Sequence, residues 1–163
     1  MLSTRSVLAV GGADLDAEQL LRRVMDDATR LLNAERSTLF LVDRERRQLW
    51  SKIAQGLEIQ EIRMPIDSGI AGHVATTGDT LSLSDAYDDP RFDTGWDIQT
   101  GYRTTSMLAM PLRSPRGAIV GVIEVLNRRG GAFTPADEAA LAALCAQAAR
   151  LVDALDAASR GAR

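Results

Sequence analysis

Two strongly apolar runs in the C-terminal half place the tightest constraint on how this chain folds. They cover residues 106–112 and 119–126, and the short connection Arg113-Ser114-Pro115-Arg116-Gly117 joins them. Proline and glycine in so short a connection favour a hairpin turn. The pattern therefore predicts two antiparallel strands at the centre of a sheet.

Four shorter segments carry the composition of further strands. Each is a short run with apolar side chains, bounded by charged or turn-forming residues. The sequence therefore predicts strands at residues 38–42, 49–54, 62–66 and 81–83.

Three amphipathic segments predict helices. The first starts at a cap on Asp16, the second covers residues 70–77 and ends at Gly78, and the third starts at Thr134 with Pro135 in its first position. At about 1.5 Å per residue the third helix is roughly 35 to 40 Å long, so its end is expected to project beyond a small sheet. Its apolar stripe would then need a partner, which predicts a homodimer. The stripe consists of Leu141, Leu144, Cys145, Ala148, Leu151, Val152 and Leu155.

These elements predict one α/β (α+β) domain. Residues 1–13 lack periodicity and are interpreted as a flexible leader, and residues 14–160 form the single domain. Residues 84–102 contain few aliphatic side chains but many turn formers and aromatics, which is typical of a segment that covers a site.

Charge and composition exclude several functions. With 22 acidic and 19 basic residues the net charge is -3, and the basic residues are scattered, so no nucleic-acid partner is expected. One cysteine and one histidine cannot supply a disulfide, a zinc site or the catalytic pair of a serine hydrolase. The sequence shows neither a signal-peptide core nor a membrane span, so we expect a cytoplasmic protein without cofactor or metal.

The segment Asp67-Ser68-Gly69-Ile70-Ala71-Gly72 is a candidate anion site. Unpaired amides at a helix start, together with the helix dipole, favour a phosphate. The alternative is a plain turn from strand to helix, capped by Asp67 or Ser68.

Glu124 is the unexpected residue of the last apolar run. An unpaired carboxylate in a buried strand is costly, so Glu124 either faces solvent by alternation or lines a polar pocket. Both faces of this strand are largely apolar, which favours the pocket. By contrast, His73 is interpreted as a structural histidine and Cys145 as a small buried hydrophobe.

Several short motifs resemble those of a GAF domain of the cyclic-nucleotide-binding type, as in regulatory regions of cyclic-nucleotide phosphodiesterases and bacterial adenylyl cyclases. The resemblance covers residues 15–158. It implies an antiparallel sheet of about six strands, with the terminal helices on one face and a ligand pocket on the other. The matching segments are residues 34–41, 69–78, 85–87, 90–92 and 100–104.

The resemblance also implies which residues would contact a ligand. The cyclic phosphate would bind the amides of Ile70 and Ala71. The lid would add contacts near Asp93 and Asp97. The sugar and base would meet Thr38, Thr100, Thr104, Glu124 and the pair Ala54-Gln55.

The family's Asn-Lys, Phe, Asp-Glu signature appears with arginine in place of lysine. The resemblance implies that Arg128 and Asp137 form a salt bridge that supports the pocket without touching the ligand. The complete signature is Asn127, Arg128, Phe133, Asp137 and Glu138.

The base-reading pair is where this chain departs from its cGMP-binding relatives. They carry Phe-Asp where this chain has Ala54-Gln55, and a glutamine amide suits the donor and acceptor of adenine, which favours cAMP over cGMP. The chain is thus predicted to be a non-catalytic sensor that signals through a homodimer to an output domain in cis or in trans.

Two alternatives accompany this hypothesis. The first is a ligand-free GAF dimerisation module. The second is a small reductase or hydrolase, for which the sequence has no nucleophile and base pair. The single Cys145 also argues against bilin attachment and sulfoxide-reductase chemistry.

Overall fold

A six-stranded antiparallel sheet organises the computed structural model, which describes residues 12–54 and 62–161. The strands lie in the order β3-β2-β1-β6-β5-β4, and each neighbouring pair is antiparallel. The predicted hairpin joins β5 to β6, so that prediction is confirmed. The strands are β1 (Ala34–Asp43), β2 (Gln48–Ala54), β3 (Ile62–Pro65), β4 (Leu81–Leu83), β5 (Met107–Arg113) and β6 (Ile119–Arg128).

Four helices accompany the sheet in the described part of the chain. Residues 84–106, which connect β4 to β5 and are called the lid segment below, contain a short 3-10 turn (Ala86–Asp88) and the third helix. None of the described helices combines the length and the apolar character that a membrane span requires. The helices are α1 (Gly12–Leu31), α2 (Gly69–Thr77), α3 (Gly95–Thr100) and α4 (Pro135–Gly161).

Both faces of the sheet are buried, but by different elements. On one face α1 and α4 pack over residues such as Leu39 and Ile123. On the other face α2 and the lid segment cover Phe40, Val122 and Ala109. Strands covered on both faces read as continuous apolar runs, which explains the sequence of β5 and β6. The predicted division into a helix face and a pocket face is confirmed.

Two predicted positions are wrong. Helix α1 begins at Gly12, inside the predicted leader and before the predicted cap at Asp16; residues 1–11 of that leader lie outside the described residues. The centre of the sheet is the pair β1 and β6, while β5 lies one place from the edge because the short β4 is its outer neighbour. A hairpin pattern shows only that two strands are neighbours. Which further strand pairs with the other edge of each depends on contacts between residues far apart in the chain.

The apolar stripe of α4 is more completely buried within the domain than the length of the helix suggested. It has 27 residues, yet Leu141, Ala148 and Val152 of its stripe are buried, and Leu151 and Leu155 pack against the same core. Helix α1 lies beside α4 and adds the cover that the sheet alone would not supply. The described stripe therefore does not require a partner, which corrects the argument on which the dimer was predicted.

Gly72 is required by the packing of α2 against the turn before it. A Cβ at this position would lie 2.3 Å from the carbonyl carbon of Asp67, which is backbone and cannot rotate away. We expect Gly72→Ala to destabilise the domain by about 1–3 kcal/mol, as overpacking does. Urea denaturation measures this, and the usual gain of about 1 kcal/mol for glycine to alanine within a helix would contradict the expectation.

Candidate ligand-binding cavity

A cavity of about 100 Å³ lies between the sheet and the elements that cover its second face. The sheet supplies its floor, the start of α2 one wall, and the lid segment its roof. The side chains of the floor come mainly from β1 and β6, and those of the roof from α3 and its flanks. The polar and charged residues of the lining are Arg36, Thr38, Ser68, Asp93, Asp97, Thr100, Tyr102, Thr104 and Glu124.

The first turn of α2 forms the wall where an anion was predicted. Ile70 and Ala71 are buried and line the cavity, and Gly69 adopts the left-handed backbone (φ 65°) that admits the helix at this angle. Ser68 is the N-cap residue, but its side chain makes no capping hydrogen bond. The alternative of a turn capped by the Ser68 side chain is therefore wrong. The positive end of the helix dipole lies at this wall of the cavity.

Glu124 lies in the floor opposite Thr38, its pairing partner on β1. Within the described residues its carboxylate has no hydrogen-bond or ion-pair partner. Burial raises the pKa of Glu124 to about 7, because the ionised form is desolvated without compensation. The predicted pocket position is present, and this carboxyl group is available to donate or accept a hydrogen bond.

Arg36 brings a positive charge that the sequence analysis missed. Its guanidinium carbon lies 3.8 Å from the centroid of the Tyr102 ring, a cation–π distance. No described carboxylate lies within ion-pair distance of it. The signal was available, since Arg36 stands two residues before Thr38 on β1 and therefore shares its face.

Aromatic side chains complete the lining. Phe92 and Trp96 belong to the lid segment, and Tyr102 follows α3. The Tyr102 hydroxyl donates to Glu35 Oε1 (2.8 Å) and accepts from Asn127 Nδ2 (2.8 Å), so its ring is held in place from outside the cavity. Planar rings of this kind suit a flat, partly polar ligand.

The polar residues of the roof are largely occupied by contacts within the lid segment. Asp93 Oδ1 accepts from the amide of Gly95, the first residue of α3 (2.8 Å). The hydroxyl of Thr100 donates to the Trp96 carbonyl (2.7 Å). Asp97 is buried and accepts hydrogen bonds from Thr104 through both carboxylate oxygens.

The cavity brings together eight of the ten residues that were expected to contact a ligand. Ala54 pairs with Thr38 at the end of β2, but its side chain lies outside what is described, as does all of Gln55. The eight are Thr38, Ile70, Ala71, Asp93, Asp97, Thr100, Thr104 and Glu124.

The signature residues lie outside the cavity. Arg128 Nε is 2.8 Å from Asp137 Oδ2, so the predicted salt bridge is present, and the same oxygen accepts from the Thr134 amide at the start of α4. Phe133 is buried in the helix-side core, while Glu138 is half-buried in the first turn of α4.

Asn127 connects the signature to the lid segment. It adopts a left-handed backbone (φ 59°), accepts from the Thr105 amide (2.6 Å) and donates to the Arg103 carbonyl (2.7 Å). Its side chain thereby fixes the end of the lid segment where that segment enters β5. The signature supports the roof of the cavity and the start of α4 together.

His73 and Cys145 lie outside the cavity lining. His73 Nε2 lies 3.2 Å from Arg91 Nη1 and 3.5 Å from Asp79 Oδ2. Cys145 is buried in the helix-side core, and burial raises the pKa of its thiol to about 12. Across residues 12–54 and 62–161, no group of three or more histidine, cysteine, aspartate or glutamate side chains is placed to hold a metal ion.

Comparisons with known proteins agree with this architecture. The sequence model of the GAF domain matches residues 16–152. A probable 3',5'-cyclic phosphodiesterase, pde-5, from Caenorhabditis elegans is 36% identical over 135 residues, which are 74% of this chain and 18% of that protein. The chain thus spans less than a fifth of the length of this relative.

Solved structures share the fold at low identity. The GAF domain of a phosphoenolpyruvate-protein phosphotransferase from Coxiella burnetii superposes with a TM-score of 0.78 and 22% identity, covering 90% of this chain and 87% of that one. A type II free methionine-R-sulfoxide reductase from Thermoplasma acidophilum gives a TM-score of 0.74 and 16% identity, covering 88% of this chain and 97% of that one. These two likenesses concern the fold alone.

The raised pKa of Glu124 makes stability depend on pH. Its folded pKa of about 7 exceeds its ordinary 4.5, so the neutral carboxyl is favoured in the native state and that stability is lost as pH rises from 4.5 through 7. We expect Glu124→Gln to stabilise the ligand-free domain by about 1–3 kcal/mol at about pH 8 and by much less at about pH 5. Urea denaturation at both pH values, with the exposed Glu45→Gln as control, measures this. An equal effect at both pH values would contradict it.

Proposed function

The chain belongs to the GAF domain family, and on that premise we propose that its cavity binds a 3',5'-cyclic nucleotide as the input of a regulatory domain. The observation that carries the proposal is the presence of two complementary groups in one cavity. The start of α2, where Ser68 makes no side-chain capping bond, favours an anion, and Glu124, which has no partner among the described residues, offers hydrogen bonds to a polar ligand.

The remaining lining suits the other parts of such a ligand. Thr38 and Glu124 stand side by side on paired strands, where they can hold hydroxyl or ring-nitrogen groups. Trp96 and Tyr102 offer ring faces, and the Arg36 guanidinium adds N–H donors. The relative from Caenorhabditis elegans is named for a cyclic-nucleotide activity, which supports the same class of ligand.

The size of the cavity bears on how a nucleotide would enter. Its volume of about 100 Å³ is smaller than the roughly 300–1,000 Å³ of pockets that enclose drug-sized ligands. Binding therefore requires the lid segment to move outward and to close again around the ligand. A sensor domain needs such a movement, because only a ligand-dependent change of structure can be transmitted.

We propose that the domain regulates and does not catalyse. Cys145, the one cysteine of the chain, lies in the core on the helix side of the sheet with an inert thiol, which argues against thiol-based reductase chemistry. Among the described cavity residues no hydroxyl is paired with a histidine that would activate it. The expected setting is a cytoplasmic protein in which this domain controls an output domain in cis or in trans.

A homodimer is the second part of the proposal, and it rests on α1. Leu20 and Leu31 are 39% and 58% exposed and stand eleven residues apart, which is close to three helical turns and so places them on one face. A second copy of the chain docking on this face would bury both leucines. A dimerisation module without ligand remains the competing function.

Calorimetry with the intact chain tests the ligand. We expect cAMP to bind more tightly than cGMP, and Thr38→Val and Glu124→Ala each to weaken the binding of cAMP by about 1–3 kcal/mol because buried polar groups of the ligand lose partners. Gln55→Asp is expected to shift the preference towards cGMP.

Two controls make this result interpretable. Thr77→Val removes a hydroxyl at the far end of α2 and should leave affinity unchanged. Analysis of the same mixtures should find no linear nucleotide monophosphate. A folded wild-type chain that binds neither nucleotide at millimolar concentration would refute the sensor and leave the dimerisation module.

Sedimentation velocity tests the dimer. We expect a dimer at high micromolar concentration, and Leu31→Glu to dissociate it because a charge cannot be buried unpaired in an apolar interface. Ile98→Glu is the matched control, since Ile98 is 78% exposed on α3, across the sheet from α1. A monomer at every concentration would exclude the dimer, and equal dissociation by both variants would exclude the α1 face.

A further inference from the structure

Asp97 lies at the centre of a hydrogen-bond network within the lid segment. The residue is 8% exposed. Oδ2 accepts from the Tyr87 hydroxyl (2.7 Å) and from the Thr104 amide (2.7 Å), and Oδ1 accepts from the Thr104 hydroxyl (2.9 Å). Tyr87 precedes α3 and Thr104 follows it, so both ends of the lid segment are attached to one residue of the helix.

This network changes the roles open to Asp97 and Thr104. The Thr104 hydroxyl has a single proton, which it gives to Asp97, so it can meet a ligand only as an acceptor. Both oxygens of Asp97 are engaged by donors from this chain. Thr104 therefore has no proton left to give to a ligand, and three acceptor positions of Asp97 are used within the lid segment.

We propose that Tyr87, Asp97 and Thr104 form a latch that holds α3 closed over the cavity, and that Asp97 and Thr104 act as positioning residues of the lid segment. The latch rests on the proposed function only in that it governs how a nucleotide reaches the cavity. It exists in the ligand-free chain and is open to test without any ligand.

Further contacts show that the latch is tied to both the roof and the sheet. The Tyr87 ring packs against Phe92, which lines the cavity, in a tilted arrangement with 5.2 Å between centroids. The guanidinium carbon of Arg103 also lies 3.7 Å from the centroid of the Tyr87 ring. Arg103 is in turn bound through its carbonyl to Asn127 at the end of β6. Opening of the latch would therefore release α3 while its distal attachment to the sheet remains.

Trp96 on α3 is a built-in reporter of the lid. The chain has two tryptophans, and the other, Trp50, is buried on β2. Acrylamide quenching of the ligand-free intact chain, with Trp96→Phe measured alongside to subtract Trp50, therefore reports how far solvent reaches α3. A network that merely stabilised the fold would change the unfolding midpoint and leave this access unchanged.

The variants remove one hydrogen bond at a time. Thr104→Val and Tyr87→Phe keep the shape of the side chain, and loss of one bond is expected to raise the open-lid population about fivefold. The quenching constant of Trp96 should rise accordingly, and Thr104→Ser, which keeps the hydroxyl, should restore the wild-type value. Thr29→Val is the control, because the Thr29 hydroxyl is hydrogen-bonded to the Met25 carbonyl and the Ser37 hydroxyl on the opposite side of the sheet.

The outcomes separate the latch from the alternatives. Unchanged quenching of Trp96 in both latch variants would overturn the proposal, as would an equal rise in Thr29→Val, which would indicate general loosening. If Thr104→Val does not fold, Tyr87→Phe decides alone, since it retains the ring packed against Phe92. Failure of the wild-type chain to bind a nucleotide would refute the proposed function and leave the quenching result intact.

Discussion

The pairing of β1 with β6 supports both halves of the molecule, because each strand presents side chains to two different environments. The pair runs from Ala34 opposite Arg128 to Leu41 opposite Gly121. At Gly121 the strands approach so closely that a Cβ would lie 2.6 Å from the Phe40 carbonyl oxygen. One face of this pair meets α1 and α4, and the other forms the cavity floor. A shift of register by one residue would exchange the two faces and bury the floor residues under the helices.

The cavity is maintained at a cost in stability. Glu124 stands in the middle of an apolar strand without a described partner, and desolvation raises its pKa to about 7. A leucine there would extend the core, so packing does not explain a carboxyl group in this position, whereas the proposed ligand binding would. Its position opposite Thr38 places the carboxyl group in the same cavity as the start of α2.

The signature residues connect the cavity roof to the last helix. Asn127 holds the end of the lid segment, and the next residue, Arg128, holds Asp137 in the first turn of α4. Two adjacent residues thus contact the lid segment and the first turn of α4. These contacts offer a route by which the proposed movement of the lid segment would reach α4 without passing through the apolar core.

Local patterns determined much of this protein from its sequence. Short apolar runs bounded by turn-forming residues located the six strands, caps and glycines located α2 and α4, and the unexpected Glu124 marked the cavity, because each of these signals depends on residues close together in the chain. The order of the strands, the cover that α1 gives α4, and the stacking of Arg36 on Tyr102 were decided only by the tertiary structure. So was the role of Asp97, whose partners Tyr87 and Thr104 reach it only when the lid segment folds back on itself. Sequence specifies which groups must be satisfied, whereas the three-dimensional fold decides which partner is near enough to satisfy them.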